Sequence, residues 1–152
     1  MGMFSKLRNG GKAQASQSEE IARGVLSMPM LVAAADGQID EAEVNQILNM
    51  CSYSPIFHAI GAQRTLELGK EIVAQRANEG AEAVFARALQ ALPAAQRETA
   101  LCFAVRAALA DGHFDQSEKD MLIAMGERMG VPAEKFVQIF DVMAMMQRPA
   151  AA

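Results

Sequence analysis

Six carboxylates are the residues of this chain whose types and spacing could do chemistry. Asp36, Asp40 and Glu43 lie in Ala35-Asp36-Gly37-Gln38-Ile39-Asp40-Glu41-Ala42-Glu43, and Asp111, Asp115 and Glu118 lie in Ala110-Asp111-Gly112-His113-Phe114-Asp115-Gln116-Ser117-Glu118. Both stretches follow Ala-Asp-Gly-x-(apolar)-Asp-x-x-Glu, and Ile47/Leu122 and Met50/Met125 keep the register beyond it. An internal repeat of this kind organises everything around it. Three hard oxygen donors per copy suit a divalent cation, Ca²⁺ or Mg²⁺ before Zn²⁺. The pattern is not an EF-hand: counting from Asp36, position six is Glu41 instead of Gly and position twelve is Ile47 instead of Glu, and the second copy departs likewise at Leu122.

A structural role competes for the same residues. Gly37 and Gly112 would end one helix, Asp40 and Asp115 would cap the next, and Glu43 and Glu118 stand where capping-box partners belong. Ile39 and Phe114 precede the caps at hydrophobic-staple positions. Capping leaves Asp36 and Asp111 unexplained. Each falls at the C-terminal end of an apolar helix, where the macrodipole disfavours a carboxylate and a cation would remove the conflict. The first loop, with Glu41 where the second has Gln116, is expected to be the stronger site. His113 is at the centre of the second loop and its imidazole would suit zinc; His58, on an apolar segment, is expected at the core or its boundary.

The elements that must carry these loops are helices. Ala, Leu, Met, Glu, Gln and Arg dominate, and no alternating β-branched run reads as a strand. The fold class expected is all-α, about seven helices in a pseudo-duplicated bundle. Residues 1–16 read as a flexible polar leader, 17–147 as the helical domain with its loops at 35–43 and 110–118, and 148–152 as a tail. The first helix is expected from about Ser18, nearly apolar from Gly24 to Ala35, with Pro29 either kinking or splitting it. A short helix from Glu41 to about Cys51 follows. Ser54-Pro55 then opens a helix to about Asn78, bent or interrupted near Gly61, on which Arg64, Glu67, Lys70 and Glu71 read as a solvated face. Further helices run from about Ala81 to Leu92, from Pro93 to Ala110 with Arg106 as the only polar break in its apolar segment, from Gln116 to Met129, and from Val131-Pro132 onward.

Charge narrows the function classes. Fourteen Lys and Arg face eighteen Asp and Glu. No Lys or Arg occurs between Arg23 and Arg64, an interval that holds Asp36, Asp40, Glu41 and Glu43, so the net charge of −4 is concentrated around the first loop. Such a field repels nucleic-acid phosphate and attracts cations or basic partners. Cys51 and Cys102 form no CxxC pair and read as buried, reduced thiols. No secretory leader is evident, Lys6 stands where a myristoylation signal needs Ser or Thr, and the apolar run Val25–Ala35 is too short to span a bilayer. A cytoplasmic protein is expected. No nucleophile–base pattern, phosphate loop or Glu-x-x-His pair appears, which argues against an enzyme. Met143, Met145 and Met146 are the apolar residues best placed for a partner contact.

The two Ala-Asp-Gly-x-x-Asp-x-x-Glu loops, each after an apolar helix, and the Leu122 to Gly130-Val131-Pro132 stretch resemble the TerB (tellurite resistance protein B-like) family over roughly Ile21 to Met143. The resemblance implies an all-helical, pseudo-duplicated fold, with divalent-metal binding at Asp36, Asp40, Glu43, Asp111, Asp115 and Glu118. It also implies a role in tellurite or other stress resistance beside membrane proteins of that system, at the inner membrane surface. The alternative is a metal-independent interaction domain whose acidic loops dock a basic protein partner.

Overall fold

The computed structural model describes residues 3–110, 112 and 114–151, with side chains described from Ser16 onward. Among these residues there are eight helices and no strand: α1 (Met3–Ala33), α2 (Glu41–Cys51), α3 (Pro55–His58), α4 (Ala62–Glu79), α5 (Ala81–Ala91), α6 (Ala94–Leu109), α7 (Gln116–Arg128) and α8 (Ala133–Met146). The all-α expectation holds, with one helix more than expected. The additional helix arises at Gly61, whose φ of +84° is open to glycine and breaks the segment after Pro55 into α3 and α4.

α1 begins at Met3 instead of near Ser18. Residues 5–17 contain Lys, Leu, Arg, Ala and Gln and no proline, so helical propensity is not interrupted beyond the cost of Gly10-Gly11. Pro29 neither starts nor divides a helix. It lies fully buried inside α1, where its missing N–H leaves the Val25 carbonyl without its usual helical donor.

α1 and α6 form the centre. Val25, Leu26 and Met28 of α1 and Leu101, Ala104 and Val105 of α6 have no exposed surface, and α1 packs mainly on α6, then on α5 and α4. Leu122 and Met125 from α7, Met129 at its C-cap, and Phe136 and Ile139 from α8 close the core, while Phe140 and Met143 are half-buried. At Gly24 the α5 chain comes so close that a Cβ would stand 2.8 Å from Leu92 Cγ.

The Arg64–Glu71 face is not merely solvated. Arg64 pairs with Glu19, with Glu67 at 3.1 Å and with Glu71 at 3.2 Å, and Arg23 pairs with Glu71 at 2.5 Å. This seam fastens α4 along α1, a use that sequence spacing within α4 alone does not reveal. His58 is exposed, with Nε2 2.5 Å from the Ser52 carbonyl, so the core expectation for it fails because α3 is only one turn long and turns that side outward. Cys51 is buried, Cys102 half-buried, and both are free thiols.

Candidate functional site

Both acidic connectors use the same local physics. Gly37 (φ +136°) and Gly112 (φ +77°) turn the chain where a side chain would be strained, and their N–H groups bond Ala34 O at 3.1 Å and Leu109 O at 3.3 Å. Asp40 then caps α2, its Oδ1 accepting the Glu43 N–H at 2.7 Å. Asp115 caps α7, its Oδ1 accepting the Glu118 N–H at 2.8 Å and the Ser117 hydroxyl at 2.7 Å. The Ser117 hydroxyl first, then the Glu118 N–H, holds the Asp115 carboxyl below its ordinary value. Phe114, ahead of the second cap, packs its ring 5.3 Å from that of Phe140 and so anchors the loop to α8.

The connectors meet on one cleft of about 510 Å³. The C-terminal ends of α1 and α6 open onto it, together with α2 and the start of α7. Asp36 and Glu43 from the first loop and Glu118 from the second line this cleft, over a floor that includes Val32, Ile47, Met50 and Met121. Tyr53, 89 % exposed, stands at its edge. Asp40 and Asp115 are exposed and do not line it, being turned to their caps. Asp111 and His113 lie outside the described residues. Among the described residues no group of three His, Cys, Asp or Glu side chains is arranged to hold a metal ion.

The donors of the cleft are carboxylate oxygens, the ligand class that hard cations take. Glu43 Oε2 is shielded from solvent and has no hydrogen-bond partner among the described residues. A buried carboxylate oxygen in that condition is costly, and a cation or a donor brought by a ligand would relieve it.

Two arginines complete the site, and sequence reasoning did not assign either to it. Arg76, in the last turn of α4, donates from Nη1 to the Gly37 carbonyl and from Nη2 to the Ala34 carbonyl, both at 2.6 Å. It places a fixed positive charge on the end of α1, so the macrodipole conflict inferred for Asp36 is answered by the protein itself. Nothing in the sequence marks Arg76, because the pairing spans about forty residues and depends on how α4 docks. Arg106 lines the cleft beside the carboxylates. A signal for it did exist: it is the one polar break in an otherwise apolar stretch of α6. Burial pushes the nearby Cys51 thiol up to about 12, with the Arg106 charge opposing that shift.

Eight helices that carry two capped acidic connectors onto a common cleft define an all-helical domain, and its described residues hold no catalytic constellation. The family model described as Tellurite resistance protein TerB matches residues 21–141, most of the 152-residue chain, and the chain belongs to the TerB family. TerB is a helical, non-catalytic domain family, and membership makes this a module of the tellurite-resistance type. No curated protein and no solved structure matches the chain. No helix among the described residues is long and apolar enough to cross a membrane.

Proposed function

We propose that this module binds a divalent cation in the cleft shared by its two acidic loops. Glu43 and Glu118 face it from the two halves and Asp36 lies beside them. Asp40 and Asp115, turned to their caps outside the cleft lining, serve the site by fixing the starts of α2 and α7, which carry Glu43 and Glu118. Asp111 takes by repeat position the part of Asp36. An all-oxygen set of this charge favours Ca²⁺ or Mg²⁺ over Zn²⁺. The observation that carries the reading is the solvent-shielded Glu43 Oε2, which has no hydrogen-bond partner among the described residues, on a cleft lined also by Asp36 and Glu118. A bound cation would tie the start of α2 to the start of α7 and so join the two halves. Arg106 in the same cleft offsets part of the negative field and keeps the affinity modest.

The measurement is direct. Titration calorimetry of the EDTA-treated protein with Ca²⁺, Mg²⁺ and Zn²⁺ is expected to show heat for at least one ion and a matching rise in melting temperature. Absence of both for all three ions removes the cation reading.

A second reading has its own support. The interval between Arg23 and Arg64 carries four acids and no Lys or Arg, and Tyr53 stands almost fully exposed at the cleft edge. Those features suit a basic protein segment with an apolar anchor, such as a juxtamembrane stretch of a resistance-system membrane protein met at the cytoplasmic face. Binding of such a partner that persists unchanged in EDTA favours this reading over the first.

A further inference from the structure

We infer that Arg76 is the positioning residue of the first acidic loop, so that the geometry of Asp36 is set from α4 and not by the loop itself. The geometry is specific. Gly37 N–H closes the turn on the Ala34 carbonyl at 3.1 Å, and Arg76 then binds the carbonyls at both ends of that turn, Ala34 and Gly37, at 2.6 Å each. One planar guanidinium thus spans the two carbonyls that flank Ala35 and Asp36, a fork geometry that an ammonium group lacks. Apart from the Ala35 N–H, which donates to the Val32 carbonyl at 3.2 Å, the segment between them has little other hold among the described residues. Ala35, Asp36, Gly37 and Gln38 are all exposed, and nothing lies within 4 Å of the position a Gly37 Cβ would take. On its other side Arg76 lines a separate groove with Met30, Leu31, Ile39, Ile72 and Val73, which places its stem against apolar surface shared by α1, α4 and the loop.

The consequence is a division of labour within the loop. Asp40 fixes where α2 starts, whereas Arg76 fixes where α1 stops, and Asp36 lies between the two points. A change at Arg76 therefore moves Asp36 relative to Glu43 without touching any carboxylate. In its effect on ligand binding this inference rests on the cation reading; in its effect on the loop it does not.

The test uses the full-length chain with Arg76→Ala, Arg76→Gln and Arg76→Lys. Hydrogen exchange read by mass spectrometry is expected to show the 34–40 segment exchanging about tenfold faster or more in Arg76→Ala. The core of α6 and the α7 cap serve as internal references and should be unchanged. Arg76→Lys should recover only part of the protection, since it can serve one carbonyl well but not both. Unchanged exchange at 34–40 in all three variants overturns the inference, and so does a uniform acceleration across the whole chain, which would mean Arg76 merely supports global stability. If Arg76→Ala does not fold, Arg76→Gln carries the same comparison. Calcium titration adds the functional arm: where the parent protein binds Ca²⁺, Arg76→Ala should bind at least about tenfold more weakly, and equal affinity refutes the positioning role. Where the parent gives neither heat nor a melting-temperature rise with any cation, the cation reading has failed by itself, and the exchange experiment still decides the role of Arg76.

Discussion

Replacing Glu43 by Gln should stabilise the protein without cation and make it indifferent when cation is added. Glu43 Oε2 is out of solvent with no donor among the described residues, and Asp36 and Glu118 line the same cleft. A buried acceptor left unmade costs about 1–3 kcal/mol, and more when it carries charge. Glutamine keeps the shape, removes the charge and supplies an N–H₂ that the neighbouring carboxylates can accept from. Because the side chain is only half-buried, the lower end of that range applies. A gain of about 1 kcal/mol corresponds to a melting temperature about 2–4 °C higher for a chain of this size. In excess cation the order should invert, since a ligand at a hundredfold excess over its Kd adds about 2.7 kcal/mol to the parent protein only. The assay is a pair of melting curves for parent and Glu43→Gln, one in EDTA and one in Ca²⁺ or Mg²⁺. If Glu43→Gln melts lower than the parent in EDTA, Oε2 has a partner in solution and the argument from its isolation is wrong. An equal response of both proteins to cation would remove Glu43 from the ligand set.

Further outcomes follow from the same geometry. Asp40→Ala deletes the α2 cap and should lower stability in urea by about 1 kcal/mol, with Asp115→Ala moving in the same direction; a neutral result for both would show the caps to be replaceable by water. Gly24→Ala gains helix propensity of about 1 kcal/mol, yet its Cβ would meet Leu92 Cγ at 2.8 Å and Cδ2 at 2.9 Å. A net loss of about 1–3 kcal/mol is expected from that overpacking, and a stabilised variant would show that α5 yields freely. Burial raises the Glu71 pKa, but hydrogen bonds from Arg23 and then Arg64 outweigh it and hold the carboxyl below its ordinary value. A lowered folded-state pKa contributes stability that is present above the unfolded value and lost as pH falls through the folded one. Melting temperatures followed downward from neutral pH should therefore fall below the usual carboxylate range, and Glu71→Gln should flatten that fall; identical pH profiles would contradict the Arg23–Glu71–Arg64 pairing.

What was legible in the sequence was local. Asp40 and Asp115 could be read as caps because an N-cap bond runs three residues along the chain, and both bonds form. The burial of α1 and α6 followed from runs with almost no polar residue. The division at Gly61 was half visible, as a bend or an interruption, and the positive φ decided it. What could not be read depends on docking. Arg64 and Glu71 look like ordinary surface pairs until α1 brings Glu19 and Arg23 against them. Arg76 looked like any helix-surface arginine, although it answers the question that Asp36 raised. The convergence of Asp36, Glu43 and Glu118 on one cleft also required the packing of α1 on α6, which no spacing within a single copy of the motif can specify. That Asp36 needed a cation at the helix end was sound physics applied to an incomplete inventory, because the cation was about forty residues away in the same chain.

The pairing of α1 with α6 acts as a ruler as well as a core. Each acidic connector leaves the end of one of these two helices, so the helix lengths determine where the carboxylates arrive. Inserting one residue between Ala22 and Ala34 would rotate everything beyond it by about 100°, turning Asp36 and Glu43 away from Glu118 while every residue of the loop stayed the same. A chain could thus keep both Ala-Asp-Gly motifs intact and still lose the cleft through a change in helix length alone. The identity of the site is written in its loops, but its existence is written in the count of residues between them and the core.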